Sequence, residues 1–579
     1  MLRPLSGPEP GSMSSAEGSI PMSRRRPISG SVGLMLFVAC CCGCGGDAGD
    51  PAGRPAASDG SGAVLVIGMQ QEPEILNEAV NSMVSVVYVC NLIFSKFVRH
   101  DDRMELVPDL VEEVPTVENG GVSPDHLVYT YRLREGARWH DGEPVTSRDV
   151  EFTWRVMTHP DINVETRQGW DIVERVETPD ERTVVFHLSE VYANFAGDCF
   201  YDESVLPAHL LEDALGEDFQ AARFHRAPVG SGPFVFEEWV SGSHIRVRAN
   251  DDWYGEGPHL DAIEIRFVPD GSALLMQLEA GALMGADNAP DAVLDISESL
   301  EGMKIYRNPA LFNEHLDVNL EDDILSDRKV RRAIALLIDR EEISGKIYNG
   351  VWVPAWSDDH PASPYHSMAG RRLLARDPAE ARRLLKSAGW IDTDGDGVRE
   401  KGGRDLEIGI TTTAGRVNRE RTQVVLQRQL AEGGISLKIR NHHPSVLFAS
   451  YDEGGILKRG DFDLALYAFL APPDPSTKEG SYSADFIPPA GQNNSRIRNP
   501  ELTALLSEGS ATVDPVERRR IYDEISRILA LELPVIPLLW VTQLDVMPEG
   551  LSGYRPNPTQ SGDTWNAAEW RLSPGGDDR

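Results

Sequence analysis

The sequence predicts an α/β protein built on mixed sheets. Strand-like apolar runs alternate with amphipathic helical stretches along most of the chain, and no segment repeats. At 579 residues the chain exceeds what one core holds, so roughly two to four domains are expected.

The N-terminus reads as a targeting segment over residues 1–39. Arg24, Arg25 and Arg26 form a positive region, and "ISGSVGLMLFVA" (Ile28–Ala39) is an apolar core too short to span a bilayer. Residues before Met22 read as an extension upstream of the signal, as a mis-called start would give. "FVAC" resembles a lipobox, which makes Cys40 the lipidation candidate, with Cys41 and Cys44 as alternatives. A plain secretory signal with chance cysteines is the competing reading. Residues 40–62 then read as a lipidated cysteine and a flexible Gly/Ala/Pro/Asp-rich tether. Past the cysteine cluster at residues 40–44 only Cys90 and Cys199 remain. In an oxidising compartment they are a disulfide candidate, and two buried free thiols are the alternative.

The first strand is "AVLVIGM" (Ala63–Met69), followed by a helix within "SMVSVVYVCNLIFSKFV" (Ser82–Val98). "LVYTYRL" alternates as a half-buried strand does, and "SRDVEFTWRVM" reads as a helix capped by Ser147, with Val150, Trp154 and Met157 on one face. "TVVFHL", "IRVRAN" and "DAIEIRFVP" read as strands. "RKVRRAIALLIDREEISGKIY" reads as an amphipathic helix. "DPAEARRLLKSAGW" is a helix starting at Asp377 and stopping at Gly389, and "NRERTQVVLQRQLAEGG" is a helix after the strand "RDLEIGITTT".

The formal net charge of −35 argues against nucleic acid as a partner, because phosphate binding needs clustered Lys and Arg. Catalytic motifs are missing. Ser231 in "PVGSGPF" lacks the glycine that a hydrolase elbow places two residues earlier, and neither a zinc-protease pair nor a phosphate loop occurs. "DTDGDGVRE" (Asp392–Glu400) matches the start of a calcium loop, with Asp392, Asp394 and Asp396 as oxygen donors. Position twelve of that loop is Gly403, not Glu, so an EF-hand is not expected. An acidic surface turn and an open calcium-binding loop both stay open; no other cofactor is expected.

"YTYRLREGARWHDGEPVTSRDVEFTW" (Tyr129–Trp154) resembles the signature region of family 5 extracellular solute-binding proteins. "APVGSGPFVFEEW", "ANDDWYGEGPHLDAIEIRFVPD" and "DRKVRRAIALLIDREEI" resemble further blocks of that family in the same order, and the similarity spans about residues 62 to 570. The family comprises receptors of ATP-driven importers for dipeptides, oligopeptides, nickel complexes and some sugars. The resemblance implies a two-lobed periplasmic-binding-protein fold of type II, in its large form with an extra subdomain. Its mixed sheets would be joined by a two-strand hinge near "NEHLDVNLED" (Asn313–Asp322) and "ELPVIPLLWV" (Glu532–Val541). Lobe I would comprise residues 63–315 plus 540–579, with the extra subdomain at about 106–224, and lobe II residues 316–539. The stretch Tyr129–Trp154 would then be scaffold.

The resemblance also implies a function. The chain would be an exported, lipid-anchored, monomeric receptor in the periplasm or on the outer face of the cell membrane. It would capture peptides between its lobes and deliver them to an inner-membrane permease and its ATPase, and it would not be an enzyme. A sugar, a nickel chelate or another polar solute, or a role as a ligand sensor, are the alternatives. Peptide-binding members hold the ligand amine with an Asp, and here the matching position is Ala471 in "LALYAFLAPPDPSTKEG". Asp474 is a substitute candidate, with Tyr467 and Phe469 as aromatic walls. Arg416 is the candidate for a ligand carboxylate, Gln492 and Asn493 for hydrogen bonds, and Glu72 and Glu74 for a cationic group.

Overall fold

The computed structural model describes residues 63–573 apart from 82, 165, 166, 168, 199–203, 217, 368 and 560. The expected signal, Cys40, the tether and Cys199 lie outside the described residues. Cys90 is buried and carries a free thiol.

One mixed sheet runs through the molecule. Its strands lie in the order Ser436–Ile439, Glu407–Thr412, Leu464–Leu470, Met303–Val318, Val535–Pro548, Gly285–Ala286, Val64–Met69, Ala262–Phe267, His244–Ala249 and Phe234–Val240. The short strand Val353–Pro354 adds to Val535–Pro548. Val64–Met69 pairs in parallel with Ala262–Phe267, and Leu65, Ile67 and Met69, which share one face, are buried. Helix Val84–Ile93 lays Val86, Val89, Leu92 and Ile93 on this end of the sheet.

Met303–Val318 and Val535–Pro548 pair antiparallel from Met303 opposite Pro548 to Asp317 opposite Val535. Their register shifts between Pro309 and Asn313 and again between Glu314 and His315. Proline has no N–H to give the ladder, so a break at Pro309 is where a bulge is cheapest. The sequence expectation caught only the inner part of this pair: the first strand begins at Met303, and Glu532 instead ends helix Pro515–Glu532. Residues between Leu316 and Leu539 bury one apolar cluster, and Leu65, Ile265, Met547 and Trp570 belong to another.

A separate three-stranded sheet orders Val128–Arg132, Thr183–Leu188 and Val173–Glu177. The conspicuous stretch Tyr129–Trp154 is scaffold of this unit. Tyr129, Tyr131, Leu133, Trp139, Val150 and Phe152 are all buried in one cluster with Trp170 and Phe186. A side chain of this size contributes about 2–3 kcal/mol on burial. His140 bonds across to the glycine pair, its Nδ1 accepting from Gly230 N (3.2 Å) and its Nε2 donating to Gly232 O (3.1 Å). The following helix is Ser147–Thr158, and Thr146, not Ser147, caps it in a reciprocal box with Asp149. Ser147 instead donates to Asp180 O at 2.6 Å. The glycines of "PVGSGPF" are there for backbone contact: a Cβ on Gly230 would lie 1.9 Å from Ile93 O. Ser231 between them is fully buried and accepts from Ser95 N.

Candidate functional site

Two cavities flank the strand Leu464–Leu470. The larger, of about 330 Å³, is lined by His315 and Asp317 from one long strand, Tyr467 and Phe469 from its neighbour, and Lys458, Gln492 and Asn494 from loops. Cross-strand pairing puts His315 opposite Tyr467, so the polar groups gather on one face. Tyr467 Oη donates to Asp317 Oδ2 at 2.5 Å, and His315 Nε2 stands 3.5 Å from Asp317 Oδ1. His315 Nδ1 donates to Asn313 O at 3.0 Å, and its ring meets Tyr467 and Phe469 edge-on. Burial together with Asp317 pushes the Tyr467 hydroxyl far above its ordinary pKa. Lys458 Nζ donates to Gly491 O at 3.0 Å; burial lowers its pKa, and Asp317 pulls it back up. The wall thus offers an acid, an ammonium, amides and aromatic faces.

The second cavity, of about 150 Å³, lies where the register shifts: Ala310, Phe312 and Leu470 line it with Val84, Val87 and Tyr88. Its acidic end is formed by Asp287 and Asp563. Asp545 joins them, the three carboxylates offering oxygens within 4.8 Å of one another.

The residues singled out from sequence divide between these walls and the scaffold. Tyr467, Phe469 and Gln492 line the larger cavity. Asn493 does not: it is fully buried, and its amide donates to Ser483 O and Ile497 O while its oxygen accepts from Ile497 N. Its neighbour Asn494 faces the cavity instead. Ala471 is buried against Ala355 and Trp540. Asp474 is already engaged. It caps the turn at Ser476 N and takes two nitrogens of Arg518 at 2.5 and 2.7 Å, so both its oxygens are already engaged.

Glu72 is a clamp for the hairpin of the last two sheet strands, both its oxygens being used: Oε1 accepts from Trp239 Nε1 (2.8 Å) and Oε2 from Gly242 N (2.9 Å). Glu74 is exposed and offers its backbone carbonyl to Arg226. Arg416 is exposed ahead of helix Val417–Ala431; Arg419, one turn on, reaches inward to Glu314. Asp392, Asp394 and Asp396 cluster with Glu400, a fourth carboxylate that the twelve-residue loop does not predict. These residues could hold a cation, yet their oxygens already serve the turn, accepting from Gly395 N, Gly397 N, Asp396 N, Val398 N and Thr393 N.

His315, Asp317, Lys458 and the three clustered aspartates are not marked by the sequence. The two long strands carry polar residues without clean alternation, and nothing local marks Asp287, Asp545 and Asp563 as neighbours. Among the described residues no helix is long and apolar enough to cross a membrane.

The model of bacterial extracellular solute-binding proteins, family 5 Middle, matches residues 105–484. The oligopeptide-binding protein AppA of Bacillus subtilis (strain 168) is 27% identical over 542 residues, covering 93% of this chain and 97% of AppA. The solved structure of AppA from Bacillus subtilis with a nonapeptide matches with a TM-score of 0.75 over 89% of this chain and 99% of that one, at 27% identity. The structure of NikZ from Campylobacter jejuni with Ni(L-His) matches with a TM-score of 0.74 over 88% and 99%, at 26% identity. The fold is therefore the mixed α/β periplasmic-binding-protein fold of these structures.

Proposed function

The chain belongs to family 5 of the bacterial extracellular solute-binding proteins, and we propose that it is the receptor that captures a peptide for an ABC importer. The family is one of binding proteins, not enzymes. The observation that carries the ligand class is the larger cavity. Asp317 and Lys458 set opposite charges in one wall, amides and hydroxyls stand between them, and Tyr467, Phe469 and Phe448 supply apolar faces. A zwitterionic solute with a polar backbone and varied side chains matches that wall, because each buried charge then meets a partner. A nickel chelate is the second reading, favoured by His315 beside Asp317.

Capture then works by closure. The two ends of the sheet act as lobes, residues 63–315 with 540–579 and residues 316–539, and the region 106–224 is an appended subdomain. The register shifts at Pro309–Asn313 support a hinge there, since a bulged ladder bends more readily than a regular one. The solute shifts the open–closed balance only by its preference for the closed form, and the permease reads that form. Lipidation at Cys40 would hold the receptor at the outer face of the membrane.

The test is mass spectrometry of small molecules released by denaturing the freshly purified protein, with calorimetry of each recovered compound. Peptides whose affinity falls about tenfold in Tyr467→Phe or Lys458→Met support the reading; loss of one hydrogen bond to a charged group is worth about that much. A non-peptide solute, or no stabilisation by any peptide in a thermal-shift panel, overturns it.

A further inference from the structure

We propose that Asp287, Asp545 and Asp563 form a subsite for an organic cation, which takes an ammonium or guanidinium group of the captured solute while the apolar walls beside it take the attached chain. This rests on the reading of the molecule as a peptide receptor and deepens it.

The three carboxylates come from distant parts of the chain. Asp287 follows the strand Gly285–Ala286, Asp545 lies in Val535–Pro548, and Asp563 in the C-terminal segment. Their exposures are 6%, 0% and 4%, yet their oxygens lie within 4.8 Å of one another. Among the described residues the charges that act on them are one another's, with no Lys or Arg paired to them. Burying three carboxylates without a cation is among the most costly arrangements a core can hold. Elsewhere in this protein buried acids do have a cation: Glu314 has Arg419, Asp359 has Lys478 and Glu78 has Lys96.

The existing hydrogen bonds leave part of the cluster unused. Asp563 Oδ1 accepts from Asn557 N (2.6 Å) and Asn308 Nδ2 (3.0 Å), and Asp545 Oδ1 from Asn288 N (3.0 Å). Asp545 Oδ2 has no partner. An independent observation points the same way. Tyr88, 2% exposed, lines the cavity, feels all three aspartates, and its hydroxyl has no partner. That leaves a free hydroxyl on the cavity wall, beside carboxylates of which Asp287 and Asp563 face the same cavity.

The shape selects an organic cation over a bare metal ion. The cavity of about 150 Å³ has Val84, Val87, Phe312 and Leu470 in its wall, with Gln543, Asn557 and Thr559 besides the carboxylates of Asp287 and Asp563. The apolar part of that wall gives nothing to a hydrated divalent ion, which wants six or more oxygens. It does suit the methylene stem of a lysine- or arginine-like group, whose head then meets the carboxylates.

The experiment is calorimetry on the full chain with four probes: Ala-Lys-Ala, Ala-norleucine-Ala and the N-acetylated form of each. The expected result is that acetyl-Ala-norleucine-Ala, which has no cation, binds at least tenfold more weakly than a probe carrying one. The near-isosteric variants Asp287→Asn and Asp563→Asn, measured separately, should each erase that preference without weakening the uncharged probe. The wild-type ratio does not depend on either variant folding. Equal binding of charged and uncharged probes overturns the cation subsite and leaves the receptor reading standing, as does a preference that survives both substitutions. Stabilisation of the wild type by calcium ions alone, lost in the variants, overturns it in favour of a metal site. Binding of none of the four probes overturns the peptide reading itself and this subsite with it.

Discussion

Arg419 holds Glu314 by two nitrogens, Nε at 2.9 Å from Oε1 and Nη2 at 3.0 Å from Oε2, and Glu314 has no exposed surface. Glu314 stands in the long strand between its two register shifts, so this pair ties helix Val417–Ala431 to the segment proposed as the hinge. Removing one partner strands a buried charge. Arg419→Met should therefore cost about 3–5 kcal/mol in urea unfolding. The double variant Glu314→Gln with Arg419→Met should recover a large part of that loss, because the uncompensated charge is gone.

Asp474 and Arg518 form a second such pair, with side-chain exposures of 14% and 7%. Asp474→Ala also removes the cap on Ser476 N, so an unfolding free energy lower by about 3 kcal/mol or more is expected. The preference between free and acetylated peptide termini should survive the substitution, measured by calorimetry. A loss of that preference would return Asp474 to the role of amine anchor.

Gly230→Ala should fail for a reason of volume alone. The new methyl would lie 1.9 Å from Ile93 O, and that neighbour is backbone, with no rotamer to yield. Overpacking of this kind costs about 3 kcal/mol or more. The melting temperature should fall sharply, whereas Gly242→Ala, in open space at a positive φ, should cost only the modest strain of that conformation.

His360 gives the acid side of the stability curve. Burial holds its pKa down to about 4, its Nδ1 accepts from Ala362 N, and its ring packs edge-on to Trp540. The unfolded chain protonates near 6.5. Below that pH the unfolded state takes up a proton that the fold refuses, so the contribution is intact above about 6.5 and is lost between 6.5 and 4. His100 and His140, also held near 4 by burial, add to the same trend. His360→Gln should flatten this part of a stability-against-pH series recorded from pH 7 to 4.

Asp545 works in the opposite direction. Burial raises its pKa to about 6 from 3.8, so the folded protein keeps a proton that the unfolded chain has released. Its contribution is present below 3.8 and is lost as pH rises to 6. Asp545→Asn keeps an oxygen for Asn288 N and removes that penalty. The unliganded variant should gain on the order of 2 kcal/mol over the wild type at pH 7 and almost nothing at pH 4, read from paired urea melts.

The alternation of strands and helices was legible, because periodicity and capping residues act locally: Asp377 caps its helix and Gly389 follows it with a positive φ, as read. The scaffold nature of Tyr129–Trp154 was legible through family resemblance more than through physics. The site was legible only where aromatic residues advertise a wall, at Tyr467 and Phe469. Glu72 and Asp474 misled for a shared reason. A carboxylate in a loop looks the same in sequence whether it faces a ligand, a tryptophan N–H or an arginine. The long strand from Met303 was missed in its first half because Asn308 and Pro309 interrupt the pattern that announces a strand.

The chain is made from its amino end, and the strand Val535–Pro548 is among the last parts delivered. Until it arrives, Gly285 and Ala286 have only one neighbour in the sheet, and the strand Met303–Val318 has Leu464–Leu470 on one side and waits across residues 319–534 for its partner on the other. That closure spans a long stretch of sequence, which makes it the slow event in assembly. Asp545 and Asp563 come with it. A product cut short before residue 545 would keep Lys458, Asp317 and Tyr467 but have no acidic cavity at all. The acidic cluster is thus the last of the two cavities' charged features to be delivered by synthesis.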